Sequence, residues 1–123
     1  VAPTRDFNYV GDTVDAFLSV GTADGVDFGK PYNTGTGVEV SVGDVIGQIC
    51  DLTGANKPVE SDATRLRPES SEVQALVADS SRLRGATGWA PKIDLAEGLG
   101  RTIDWWRGRI ASGAVRPDSA YMT

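Results

Sequence analysis

The strand-like stretches of this chain are too short to carry a sheet alone, and helical patterns run between them. "VEVSV" (38–42) alternates with period two and sets Val38, Val40 and Val42 on one side. In "RDFNYV", Phe7 and Tyr9 alternate with polar neighbours, which suits a short strand or an extended lead-in. "GKPYNTGTG" is turn chemistry around a short strand centred on Tyr32. "KPVES" is briefly extended, and "VQALVAD" (73–79) reads as strand or helix. A sheet of such pieces is thin, so the chain is predicted to gain stability by packing against a neighbouring domain.

Helical patterns are clearer. One starts at Asp12, puts Val14, Phe17 and Leu18 on one face, and ends between Gly21 and Gly25. Ser41 and Asp44 make an S-x-x-D cap ahead of Val45, Ile46, Ile49 and Leu52 at helical spacing, with Gly54 as terminator. Asp79 or Ser80 is predicted to cap a short helix in "SSRLRGAT" that stops at Gly88. Asp94 and Glu97 open the most sharply patterned helix. Its stripe is Leu95, Leu99, Ile103, Trp106 and Ile110, with Arg101, Arg107 and Arg109 mostly outside it. The alternation points to a small α/β arrangement, and residues 111–123 have no pattern and are predicted to fray.

Bulk properties exclude several function classes. The 123 residues suit one domain with a modest core. Twelve basic against 17 acidic side chains, net −5, argue against nonspecific binding to nucleic acid or an anionic membrane. No apolar run approaches the roughly 20 residues of a bilayer span. Cys50, the single cysteine, lies in apolar "DVIGQIC" and is read as a small buried hydrophobe, which fits a reducing, cytoplasmic compartment. The chain opens on "VAPTRDF" without methionine and is expected to be a piece of something longer, or a processed product.

Chemistry-bearing constellations are scarce. There is no histidine, which removes the commonest general base and metal ligand. "TGTGVEVSVGD" fails as a phosphate loop: it lacks G-x-G-x-x-G and G-K-[ST], and its glycines stand between strand patterns rather than opening a helix. No serine has a histidine or adjacent lysine to activate it, no Tyr-x-x-x-Lys pair exists, and no cluster has metal-ligand spacing. Arginines are the better candidates. Arg67 is held extended by Pro68, and Arg5 precedes an extended segment. Two such guanidinium forks can converge on a diphosphate; the alternative is surface pairing with Asp6, Asp62, Glu69 and Glu72.

Four stretches, in order, resemble one family. "TRDFNYVGDTVDAFL" is similar to the R-D-[FWY]-x-[YH]-V-x-D segment of extended short-chain dehydrogenase/reductases acting on nucleotide sugars. "PYNTGTGVEVSVGDV" resembles their Y-N-x-G-x-G segment and following helix. "RLRPESSEVQALVADSSRLR" resembles their nucleotide-contacting loop, in wording closest to UDP-N-acetylglucosamine 4,6-dehydratase-like members. "GWAPKIDLAEGLGRTIDWW" resembles the closing signature.

The resemblance implies that residues 1–110 are the C-terminal, nucleotide-sugar-binding lobe of an NAD-dependent 4,6-dehydratase or epimerase, with 111–123 a flexible tail. It implies that NAD, a Tyr-x-x-x-Lys pair and a Ser/Thr belong to an N-terminal Rossmann domain absent from this chain. It implies a UDP- or dTDP-sugar as ligand and a homodimer as the full enzyme. Arg5 and Arg67 match the diphosphate arginines, Glu72 falls near an acidic position that bonds ribose hydroxyls, and Arg65 is a structural or rim residue. Asp12, Tyr32, Asn33, Gly35, Trp89 and Pro91 match framework positions. The alternative is a non-catalytic, stand-alone binding or assembly module derived from this family.

Overall fold

Among the described residues, three strands of two residues each form the sheet, in the order β2-β1-β3. The computed structural model describes residues 3–60 and 73–115. β1 (Thr4–Arg5) is central. It pairs antiparallel with β2 (Val40–Ser41), Arg5 opposite Val40, and parallel with β3 (Ala75–Leu76), Arg5 opposite Leu76. The strand predicted near Tyr32 is not formed; Tyr32 instead packs half-buried against the core, and its hydroxyl accepts from the Asp27 N–H at 2.7 Å. Phe7–Tyr9 joins no strand, and Tyr9 is extended at φ −69°, ψ 139°. "VQALVAD" resolves to strand at Ala75–Leu76, because β1 offers its edge there. Within "VEVSV" only Val40–Ser41 pairs, since Val42 already belongs to the next helix.

Helix α1 (Val10–Thr22) begins two residues ahead of Asp12, after Tyr9. Asp12 does not cap it. The residue is 2% exposed, and its carboxylate accepts from the backbone N–H groups of Lys92 and Ile93 at 3.1 and 3.0 Å. α1 also turns its expected apolar face outward. Val10, Val14, Phe17 and Leu18 are exposed, while Asp12 and Ala16 are buried.

α2 (Val42–Thr53) is capped as the sequence dictates: the Asp44 N–H donates to Ser41 Oγ at 3.0 Å, and Gly54 closes it in the left-handed region at φ 70°. Cys50 on α2 is half-buried rather than buried. α3 (Ser81–Thr87) follows Ser80 and ends at Gly88, φ 73°. Ser80 spends its hydroxyl on Gly35 O and on Arg84 Nε, so the bond from the Ser81 N–H goes to Asp79 instead. α4 (Leu95–Ala111) is capped by Asp94, whose Oδ1 accepts from the Glu97 N–H at 2.9 Å.

The core joins α1 to α3 through Ala16, Leu83 and Trp89, with Val20 and Tyr32 packed on it. Trp89 donates from Nε1 to Asp12 O at 3.0 Å, so the indole nitrogen is satisfied where it is buried. α4 lies against α2 and meets Tyr9 through Gly98. The far end of its predicted stripe is not covered, with Trp106 48% and Ile110 64% exposed. No described helix is long and apolar enough to cross a membrane.

Candidate functional site

Beside Arg5 on β1 opens a cleft of about 530 Å³, walled by Tyr32–Thr34 on one side and Leu76–Asp79 on the other. That volume falls within the range of small-molecule sites. Arg5 Nη1 donates to Thr4 O at 2.7 Å and to Val73 O at 2.8 Å, which anchors the guanidinium at the start of the β3 segment. Asn33, expected in the framework, is exposed on the wall of this cleft and adds an amide to it.

Two carboxylates share the cleft, and both face internal donors. Asp6 Oδ1 accepts from the Thr36 N–H at 3.0 Å and from the Thr36 hydroxyl, and Oδ2 accepts from the Gly37 and Ala78 N–H groups at 2.8 and 3.3 Å. Burial pushes the Asp6 carboxyl up; the Thr36 hydroxyl and the Gly37, Thr36 and Ala78 N–H groups together outweigh it and hold it below its ordinary value. Asp79 is likewise held low by hydrogen bonds from the side chain and backbone of Ser81.

The glycine-rich stretch is therefore accounted for. The N–H groups of Thr36 and Gly37, the kind that cradle a phosphate elsewhere, close on an internal anion, Asp6. Gly35 is buried where a Cβ would lie 2.5 Å from Ala78 Cβ and 2.7 Å from Asp6 Oδ2. These residues do not fit a dinucleotide: the glycines precede β2, and the Thr36 and Gly37 N–H groups are occupied. No group of histidine, cysteine or carboxylate residues able to hold a metal occurs among the described residues.

Of the predicted contact residues, Arg5 is placed in the cleft, and Arg67 and Glu72 lie outside the described residues, as does Arg65. Asp6 is the residue that sequence reasoning treated only as an ion-pair partner for Arg5. Its donors, three backbone N–H groups and the Thr36 hydroxyl, stand 30, 31 and 72 positions away, which no local pattern announces. Asp12, Gly35 and Trp89 are structural: Asp12 ties α1 to the turn before α4 instead of starting the helix, Gly35 permits a close approach, and Trp89 fills the core.

Comparison with known proteins gives consistent matches. The family profile described as GDP-mannose 4,6-dehydratase matches residues 1–102. A UDP-glucose 4-epimerase of Mycolicibacterium smegmatis is 35% identical over 106 residues, covering 86% of this chain and 32% of that protein. The human dTDP-D-glucose 4,6-dehydratase is 32% identical over 110 residues, covering 85% of this chain and 30% of that protein. Among solved structures, MoeE5 in complex with UDP-glucuronic acid and NAD superposes with a TM-score of 0.74 at 30% identity, over 87% of this chain and 34% of its own. The chain thus spans about a third of the length of the relatives it matches.

Proposed function

The chain belongs to the GDP-mannose 4,6-dehydratase family, among the extended short-chain dehydrogenase/reductases that act as nucleotide-sugar epimerases and dehydratases, and from that premise we propose that it is the substrate-binding lobe of an NAD-dependent enzyme of this kind. The family uses NAD, and this chain does not hold it; a Rossmann domain outside the chain does. Arg5 and Arg67 grip the diphosphate of a UDP- or dTDP-sugar, and Glu72 bonds its ribose. The full enzyme is a homodimer, and the choice between dehydration and epimerisation is made by residues of the other domain.

The observation that carries this reading is the cleft beside Arg5, of nucleotide size and bounded by residues far apart in sequence. Formal charge sharpens it. Among the described lining residues Arg5 is the single formal cation beside Asp6 and Asp79, so a dianionic ligand calls for a second cation there. Val73, to which Arg5 donates, stands six residues after Arg67. The exposed apolar face of α1 supports a domain partner that covers it.

Titration of the full-length enzyme with UDP-glucose and dTDP-glucose is the test. Arg67→Ala and Arg5→Ala are each expected to raise Kd about tenfold or more, as loss of a charge-assisted contact does. Unchanged affinity in both variants overturns the assignment. The same exposed face also favours the stand-alone assembly module as a second reading. Sedimentation tests the module: a monomeric isolated chain argues against it.

A further inference from the structure

We infer that Asp6 is a positioning residue that fixes the separation of the two walls of the Arg5 cleft, and so sets affinity for the diphosphate of the nucleotide sugar. This rests on the reading of the cleft given above. The walls belong to segments with no strand pairing to each other: Tyr32–Thr34 lies before β2, and Leu76–Asp79 runs from β3 towards α3. Asp6 spans them. Its Oδ1 holds Thr36, just beyond the first wall; its Oδ2 holds Gly37, on that same side, and Ala78 of the second wall.

The bridge is short because Gly35 has no side chain. A Cβ there would lie 2.5 Å from Ala78 Cβ, so the walls approach as closely as backbone and one methyl group allow. Being next to Arg5 in the chain, Asp6 also ties this closure to the guanidinium: a shift of Asp6 moves the carrier of the cation itself. A carboxylate is the side chain that fits. Every partner of Asp6 is a donor, and both of its oxygens are acceptors. Asparagine would turn one amide nitrogen towards N–H groups, donor against donor, and release one wall while keeping the shape. A displacement of about 1 Å at a positioning contact is enough to cost one to two orders of magnitude in function.

The experiment measures Kd for UDP-glucose and, separately, for NAD by titration calorimetry on the full-length enzyme carrying Asp6→Asn, Thr36→Val, Thr36→Ser or Arg5→Ala. Asp6→Asn is expected to weaken UDP-glucose about tenfold, with binding stoichiometry and NAD affinity held within about twofold. Thr36→Val, which removes one donor to Oδ1 and leaves the N–H bonds, is expected to weaken it about threefold, and Thr36→Ser to restore it. A purely structural role predicts a lower active fraction at unchanged Kd, and that result overturns the inference. Should Asp6→Asn fail to fold, the Thr36→Val and Thr36→Ser pair decides: equal Kd values in both overturn it. Weakened binding in Arg5→Ala with unchanged binding in the Asp6 and Thr36 variants sinks the positioning role alone. Unchanged binding in Arg5→Ala sinks the reading of the cleft.

Discussion

Two aspartates do the tertiary work that a small core leaves undone. Asp12 is buried and its carboxylate accepts from two N–H groups of the turn before α4, so Asp12→Ala leaves those part-buried donors without that partner. Its cost is expected to be about 1–3 kcal/mol, read as a shift in the urea midpoint. Asp6 acts through ionisation. Folding depresses its carboxyl below the ordinary 3.8, so its contribution is complete above the unfolded pKa and is lost as pH falls through the folded value. Acid unfolding followed by circular dichroism should therefore steepen below about pH 4 in the native protein. It should be flatter there in Asp6→Asn, and identical acid limbs would refute the linkage.

Helix ends obey local chemistry, and strands obey partners. Ser41, Asp44, Gly54, Gly88, Asp94 and Glu97 sit where a reader of the sequence puts them, because a cap is decided within four residues. The sheet is decided elsewhere. Each strand is two residues long, and β1 finds its partners about 35 and 70 positions on, so neither the alternation in Phe7–Tyr9 nor the turn chemistry around Tyr32 carried information about pairing. The outward apolar face of α1 was visible as a stripe, but its direction was not, since the buried side is defined by Asp12 and Ala16. Arg5 was found through family likeness, whereas Asp6 as a hub had no local sign. Two glycines distinguish close approach from idle flexibility. Gly35→Ala must move Ala78 or Asp6 and is expected to destabilise by about 1–3 kcal/mol. Gly47→Ala, in the interior of α2 with open space around it, is expected to stabilise by about 0.5–1 kcal/mol. Thermal melts of the pair check both signs.

Taken together, the described residues bury few large apolar side chains and leave many uncovered. Phe17 at 75% and Leu18 at 61% exposure form the centre of an apolar strip with Val10 and Val14. The isolated chain is expected to associate as its concentration rises, and Phe17→Ser with Leu18→Ser to return it towards monomer in a sedimentation series. An unchanged distribution would show that this face is inert. The order in which the polypeptide leaves the ribosome adds a last consequence. Trp89, Lys92 and Ile93 reach back 77 to 81 positions to Asp12, and Ala78 reaches back 72 to Asp6. During synthesis, α1 emerges early and waits, its inner side wet, until the indole arrives. Any stall or truncation before that point yields helices without a clasp, a natural substrate for chaperones and proteases.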